Sequence, residues 1–203
     1  MIKKINIACL QYAYKGDIPS TIEFAENEIS EASKKGAQLI CLPELFCFPY
    51  FCQTIDQKYF SYAETIPGTL TQRFQKICKK YKIILILPIF EKVMDGLYYN
   101  SSAVINLDGE ILGSYRKTHI PDDPCFHEKY YFSPGNSGYK VFETSLGKIA
   151  VLICWDQWFP ETARIVSLMG ADIIVYPTAI GILKGEENFE KKYIDAWATM
   201  QRR

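Results

Sequence analysis

The stretch Lys148-Ile-Ala-Val-Leu-Ile-Cys154, followed at once by Trp155-Asp-Gln-Trp-Phe-Pro-Glu161, decides the fold class. Its first part is short and rich in Ile and Val, which predicts a buried strand, and Pro160 with Glu161 suits the first turn of a following helix. Cys154 then lies at a strand-to-helix turn, where open α/β sheets place their chemistry. Taken alone, a cysteine in an apolar run is more often a small buried hydrophobic residue than a catalytic one.

Two other apolar runs also end in a residue that can carry chemistry. Gln38-Leu-Ile-Cys-Leu-Pro-Glu44 ends in a carboxylate, and Ile111-Leu-Gly-Ser-Tyr-Arg-Lys117 ends in an amine. Taken singly, Glu44 could be a capping acid and Lys117 a solvated strand end. Together with Cys154 they place an acid, a cation and a thiol each at the end of its own predicted strand, which indicates one site.

The three residue types fit acyl transfer through a thioester. A thiol is mostly protonated near neutral pH, so a nucleophilic cysteine needs a base or a positive field. Glu44 could take the proton of Cys154 and later activate water. Lys117 would favour both the thiolate and the oxyanion of a tetrahedral intermediate, with the backbone N–H after Cys154 as a second donor.

These motifs together resemble the Glu-Lys-Cys signature of the nitrilase superfamily, the carbon-nitrogen hydrolases. The stretches that carry the resemblance are Leu42-Pro-Glu44-Leu-Phe, Tyr115-Arg-Lys117-Thr-His-Ile-Pro and Cys154-Trp-Asp-Gln-Trp-Phe-Pro-Glu161. The resemblance implies that Glu44 is the base, Lys117 the oxyanion stabiliser and Cys154 the nucleophile. It also implies a second glutamate after the lysine, matched by Glu128, that orients the lysine and the substrate nitrogen.

Finer features are similar to the N-carbamoylputrescine amidase branch, close to β-ureidopropionases and N-carbamoyl-amino-acid amidohydrolases. They include Pro49-Tyr-Phe-Cys-Gln53 and the Trp-Asp-Gln-Trp form of the nucleophile motif. Such enzymes cleave a terminal ureido group to ammonia, carbon dioxide and an amine, without a cofactor or metal. The resemblance therefore implies a small N-carbamoyl amine or amide substrate and a place in putrescine and polyamine biosynthesis, with another linear amidase as the variant.

A pocket for such a substrate needs apolar walls and an acid for the distal ammonium. Candidate substrate-binding aromatics are Tyr130, Trp155, Trp158 and Phe159. An aromatic next to a motif is more often a packing residue than a substrate contact. The charge could come from Asp122, Asp123 or Glu186.

The two histidines allow a competing thiol enzyme. Cys154 with His119 or His127 could form a Cys-His dyad, oriented by Asp156. This alternative gives no role to Glu44 and Lys117 at the ends of the two other strands.

Composition excludes several other classes of function. The chain has 203 residues, 48% hydrophobic and 23% charged, with no formal net charge, which gives no footprint for nucleic acid or an anionic membrane. The sequence contains no apolar stretch of about 18 residues that would predict a membrane-spanning helix, and its first residues lack the pattern of a signal peptide. Seven scattered cysteines without a Cys-x-x-Cys motif predict neither a disulfide framework nor a metal site. We expect a cytoplasmic protein.

The order of predicted elements is α/β, because helices alternate with buried parallel runs around an inserted hairpin. The predicted elements are a helix after a capping box Ser20-Thr-Ile-Glu23, a helix from Thr69, strands Ile83-Ile-Leu-Ile-Leu87 and 171–176, a hairpin at Asp108-Gly109, and helices 160–170 and 189–203. The resemblance makes the fold a single domain, 1–203, as a four-layer α-β-β-α sandwich that forms homo-oligomers. Family members continue beyond the last helix, so we expect a sandwich incomplete at its C-terminus, with a non-catalytic remnant as the alternative.

Overall fold

The structure is a computed structural model that describes residues 4–181, 185 and 190–202. Two sheets form its centre. The larger has the order β1-β2-β3-β4-β5, with strands β1 Ile7–Cys9, β2 Leu39–Cys41, β3 Ile84–Met94, β4 Leu97–Ile105 and β5 Ile111–Arg116. The smaller has the order β6-β7-β8, with strands β6 Val141–Thr144, β7 Gly147–Val151 and β8 Ile173–Val175.

Each sheet mixes parallel and antiparallel pairs. In the larger sheet β1, β2 and β3 run parallel, while β3, β4 and β5 form an antiparallel meander. In the smaller sheet β6 and β7 form an antiparallel pair and β8 lies parallel to β7. The helices are α1 Ile18–Lys34, α2 Thr69–Tyr81, α3 Glu128–Tyr131, α4 Pro160–Leu168 and α5 Glu190–Gln201.

Side chains of the larger sheet alternate between two cores, as the two-residue period of a strand requires. Leu85 and Leu87 join the cluster that buries the inner faces of α1 and α2. Ile84 and Ile86 join a second cluster with residues of β6, β7 and β8, to which α4 adds Val166. The two sheets therefore pack face to face, with helices on the outside of the larger one, and the predicted α/β class is confirmed.

The predicted hairpin and parallel strands are present. Asp108 and Gly109 connect β4 to β5, with Gly109 at a φ of 87°. Gly170, at a φ of 93°, follows the end of α4, as the glycine signal predicted. The last helix is described from Glu190 to Gln201 and is followed by a turn at Arg202, while residues 189 and 203 of its predicted span lie outside the described residues.

Two local predictions were wrong. The capping box at Ser20 is replaced by Asp17, whose side chain accepts from the Ser20 backbone N–H at 2.7 Å, so α1 begins before the predicted start. The strand predicted to end at Leu87 continues to Met94 and turns through Asp95-Gly96 into β4. The longer β3 is stabilised by pairing along β4, a tertiary effect that a local apolar run does not reveal.

The predicted loop between Lys117 and β6 contains one short helix. Its only helix among the described residues is α3, which begins at Glu128. Within the described ranges, every helix is too short or too polar to cross a bilayer.

Candidate active site

Cys154 lies three residues beyond the end of β7, at the start of the short 3₁₀ turn Cys154–Trp158. Its φ is 43°, in the left-handed region that a non-glycine residue rarely adopts. The backbone N–H of Cys154 donates to the Pro177 carbonyl at 3.0 Å, which holds the turn against the chain leaving β8. Such strained positions persist where surrounding contacts enforce them, and they cluster at functional sites.

Glu44 is buried beyond the end of β2 and has a donor on each oxygen. Its Oε1 accepts from Lys117 Nζ at 2.8 Å and from Asn100 Nδ2 at 2.7 Å. Its Oε2 accepts from the Ala179 backbone N–H at 2.9 Å. The carboxylate is therefore fixed between the two sheets, with β4 and β5 on one side and the segment after β8 on the other.

Lys117 bridges two carboxylates. It immediately follows β5, its side chain is fully buried, and its Nζ donates to Glu128 Oε2 at 2.6 Å as well as to Glu44. Glu128, at the start of α3, also accepts from Asn100 Nδ2 at 3.4 Å on Oε2 and from the Tyr50 hydroxyl at 2.7 Å on Oε1. The structure thus joins Glu44, Lys117 and Glu128 in one buried network.

Burial and charge act in opposite directions on the titratable groups of this network. Burial disfavours the Lys117 ammonium, but Glu44 and Glu128 outweigh it and raise the Lys117 pKa well above its usual value. Burial raises the pKa of Glu128 despite the attraction of Lys117. Burial, followed by the negative charge of Glu44, raises the pKa of the Cys154 thiol well above its usual value, against the opposing effect of Lys117. At neutral pH the site therefore holds a protonated thiol beside an ammonium.

Asp156 ties the turn of Cys154 to the loop that follows β5. Its Oδ2 accepts from the Ile153 backbone N–H and from the Tyr115 hydroxyl, each at 2.9 Å. Its Oδ1 lies 3.0 Å from the His119 backbone N and 2.7 Å from His119 Nδ1. This buried carboxylate aligns the strand ends that carry Lys117 and Cys154.

The contacts disfavour the Cys-His alternative. Asp156 does hold His119, but no hydrogen bond joins Cys154 to His119 or His127 in the part of the chain that the structure describes. Instead, Cys154 Sγ lies 3.9 Å from the Ala179 carbonyl oxygen, and the charges of Glu44, Lys117 and Glu128 act on its pKa. His127 Nδ1 lies 3.8 Å from Asp122.

The predicted substrate-binding aromatics lie in the elements that carry the network. Trp155 and Trp158 are half-buried and pack together with ring centroids 5.7 Å apart. Phe159 stacks on His119 at 3.6 Å. Tyr130, on α3, packs edge to face on Tyr131. Their contact with substrate stays a prediction, as does that of exposed Asp122 and Asp123, while Glu186 lies outside the described residues.

Sequence reasoning missed three contributors to the network: Asn100, Tyr50 and the Ala179 backbone. Asn100 is fully buried in β4, and its Oδ1 has no hydrogen-bond partner, which is unusual for a buried amide. The run Asn100-Ser101-Ser102 inside a strand was an available signal, because polar residues in a buried strand need partners. The Ala179 backbone N–H carries no sequence signal.

The structure holds all seven cysteines as free thiols. Among the described residues, no group of three or more His, Cys, Asp or Glu side chains is arranged to bind a metal ion.

The chain is similar in sequence to relatives of known name. The chain is 43% identical over 194 residues to an N-carbamoylputrescine amidase of Solanum lycopersicum, an alignment that covers 95% of this chain and 64% of that protein. It is also 43% identical over 195 residues to a citrullinase of Francisella tularensis, covering 95% of this chain and 67% of that protein. The chain thus spans about two thirds of the length of these relatives.

A solved structure and a family model agree with the fold. The crystal structure of a carbon-nitrogen hydrolase from Helicobacter pylori G27 superposes with a TM-score of 0.93 at 45% identity, covering 98% of this chain and 68% of that one. The family model described as carbon-nitrogen hydrolase matches residues 6–203. The chain therefore belongs to the carbon-nitrogen hydrolase family.

Proposed function

We propose that this chain carries the active site of a cysteine-dependent amidohydrolase that cleaves the ureido group of N-carbamoylputrescine. The observation that carries the proposal is the buried network of Glu44, Lys117 and Glu128, whose charges act directly on Cys154. An isolated buried ion pair is weak support for catalysis, but two carboxylates sharing one ammonium beside a strained cysteine indicate a reactive centre.

The raised pKa values of Cys154 and Lys117 support one order of proton transfers. Because the pKa of Cys154 lies well above its usual value, the resting nucleophile is a thiol and needs a base at the moment of attack. Because the pKa of Lys117 is also raised, its amine keeps its proton and cannot be that base. Glu44 is the remaining candidate that touches both the ammonium and the Ala179 segment beside the thiol.

The reaction then proceeds in two balanced halves. Glu44 takes the thiol proton as Cys154 Sγ attacks the ureido carbon, and Lys117 stabilises the oxyanion. The C–N bond to the terminal nitrogen breaks as that nitrogen takes the proton back from Glu44 and departs as ammonia, which leaves a carbamoyl thioester on Cys154. Glu44 next deprotonates a water that attacks the thioester carbon, the C–S bond breaks, and sulfur regains a proton. Decomposition of the released carbamate yields carbon dioxide and amine.

Glu128 has a different role in the proposal. It is fully buried, bound to Lys117 and to the Tyr50 hydroxyl, and has a raised pKa. These contacts suit a group that orients the lysine and can share a proton with the substrate nitrogen. The half-buried rings of Trp155, Trp158 and Phe159, with Tyr130, would form the walls for the substrate chain.

Citrulline is a second candidate substrate, favoured by the equal identity to the citrullinase of Francisella tularensis. Both compounds end in the same ureido group, so the catalytic network serves either one. They differ at the distal end, where one carries an ammonium alone and the other an α-amino acid. N-carbamoyl-β-alanine and simple linear amides are the further variants.

Ammonia release by the purified chain tests the proposal, with these substrates measured side by side. We expect release from N-carbamoylputrescine that is abolished in Cys154→Ala and reduced about 10²- to 10⁴-fold in Glu44→Gln, as for loss of a general base. A higher kcat/KM on citrulline would reassign the substrate. A folded chain that releases no ammonia from any of them would support the non-catalytic alternative.

A further inference from the structure

The segment that leaves β8 touches both the proposed base and the proposed nucleophile. The Ala179 backbone N–H donates to Glu44 Oε2 at 2.9 Å, and the Ala179 carbonyl accepts from Cys154 Sγ at 3.9 Å. Two residues earlier, the Pro177 carbonyl accepts from the Cys154 backbone N–H at 3.0 Å. The position of residues 177–179 therefore sets how Glu44 and Cys154 face each other.

Gln157 holds the middle of this segment. Its Nε2 donates to Thr178 Oγ1 at 2.9 Å, while the Thr178 hydroxyl donates onward to the Tyr176 carbonyl at 2.9 Å. Gln157 lies in the same short turn as Cys154 and is only 8% exposed. One buried amide thus links the nucleophile turn to the residue next to Ala179.

The other end of the same amide holds α5. Gln157 Oε1 accepts from Trp197 Nε1 at 2.9 Å and from Gln201 Nε2 at 3.2 Å. An indole nitrogen only donates, so the amide must face α5 with its oxygen and Thr178 with its nitrogen. Since no described residue of α5 is buried, these directional hydrogen bonds are a main attachment of the helix to the turn.

We propose that Gln157 is a positioning residue that couples the docking of α5 to the alignment of Glu44 with Cys154. The path runs from Trp197 through the Gln157 amide to Thr178, and from the adjoining Ala179 backbone to Glu44. The inference rests on the proposed function, in which Glu44 is the base for Cys154. It gives α5 a role in catalysis although none of its residues contacts the network through a described hydrogen bond.

The test is a double-mutant cycle read by alkylation of Cys154. Iodoacetamide modification of the Cys154 peptide is timed by mass spectrometry in the unsubstituted chain, Gln157→Met, Glu44→Gln and the double variant. Loss of three hydrogen bonds through one amide should slow alkylation about tenfold in Gln157→Met. In the Glu44→Gln background the same substitution should have no further effect, because it acts through Glu44.

Trp197→Phe provides a second, milder variant. It removes one donor to Gln157 Oε1 and keeps the aromatic ring, so we expect about a threefold reduction with the same dependence on Glu44. The matched controls are Gln72→Met on the exposed face of α2 and Tyr193→Phe on the exposed face of α5. Both should leave the alkylation rate of Cys154 unchanged. Thermal unfolding followed by circular dichroism verifies that each variant is folded.

The measured rates separate a failure of the Gln157 coupling from a failure of the proposed function. Equal slowing in both backgrounds, or none in Gln157→Met and Trp197→Phe, would overturn the coupling and leave the proposed function intact. If Glu44→Gln alone left the alkylation rate unchanged, the base assignment would fall, and the coupling with it. Where Gln157→Met does not fold, the Trp197→Phe pair decides between the outcomes.

Discussion

At the scale of single residues, the site depends on one ammonium shared by two buried carboxylates. Lys117, Glu44 and Glu128 have fully buried side chains, so removing the ammonium leaves two carboxylates without their common partner in a medium that solvates charge poorly. Asn100 donates to Glu44 Oε1, which also accepts from Lys117, and the Tyr50 hydroxyl donates to Glu128 Oε1, the oxygen that Lys117 does not contact. Each member of the network is therefore sensitive to substitution.

We expect Lys117→Met to lower the free energy of unfolding by about 3–5 kcal/mol, because two buried carboxylates lose their common partner. Adding Glu128→Gln to it should recover part of the loss. Urea denaturation at neutral pH measures both. Lys92→Met, which breaks the exposed pair with Asp95, is the control and should change little. A loss for Lys117→Met no greater than this control would contradict the buried network.

The raised pKa of Glu128 predicts a particular pH dependence. Its folded pKa lies above the unfolded value of about 4.3, so the stability gained from its proton is present below that pH and is lost as pH rises through the folded pKa. The unfolding free energy of the chain relative to Glu128→Gln should therefore fall as pH rises above about 4.3. If this difference in unfolding free energy grew with pH instead, the attraction of Lys117 would outweigh the effect of burial on the Glu128 pKa.

At the scale of elements, the residues of the site lie just beyond the ends of strands, and the segments that follow hold them in place. Glu44 follows β2, Lys117 follows β5 and Cys154 follows β7, so the two sheets must meet before the residues can. The end of β5 has one further support, because the Gly135 backbone N–H donates to the Lys117 carbonyl at 2.7 Å. A Cβ at Gly135 would lie 2.1 Å from the Arg116 carbonyl oxygen, and backbone cannot move aside as a side chain can.

Gly135→Ala should therefore displace the end of β5 and Lys117 with it. We expect an unfolding free energy lower by about 1–3 kcal/mol, as for other overpacked sites, together with loss of most ammonia release. Chemical denaturation and the ammonia assay measure the two effects. Gly181→Ala is the matched control, since a Cβ there meets no atom within 4 Å. Equal behaviour of the two variants would show that the strand end tolerates displacement.

At the scale of the whole molecule, the chain covers about two thirds of the length of its relatives while holding both sheets and the complete network. The C-terminal end of α4 and the residue after it carry exposed apolar side chains, of which Leu168 is 83% exposed and Met169 47% exposed. Adjacent exposed apolar residues of this kind mark association surfaces. We expect this face to take part in the homo-oligomer that the family resemblance implies.

We expect Leu168→Glu to shift the protein toward monomer, because a buried unpaired carboxylate opposes association across this face. Size-exclusion chromatography with light scattering at several protein concentrations measures the mass. Gln72→Glu on α2 adds the same charge elsewhere and should leave the mass unchanged. An unaltered mass for Leu168→Glu would remove α4 from the association surface.

The sequence by itself determined the α/β class, the strand-turn-helix unit around Cys154 and the identity of the acid, the cation and the thiol. Each of these follows from local information: hydrophobic period, the turn signals Asp108-Gly109 and Gly170, and reactive residue types at the ends of apolar runs. The same local reasoning misplaced the cap of α1, where Asp17 competes with Ser20. It also shortened β3, because strand length depends on the partner strand.

Only the tertiary structure decided how the groups meet. The Asn100 donor to Glu44, the Tyr50 donor to Glu128 and the Ala179 backbone N–H on Glu44 join residues far apart in the chain, and the 2.6 Å contact of Lys117 with Glu128 closes the loop between β5 and α3. Their geometry depends on the packing of two sheets and on the segment after β8. Backbone donors carry no sequence signature, and burial, which sets the pKa directions, is a property of the assembled core.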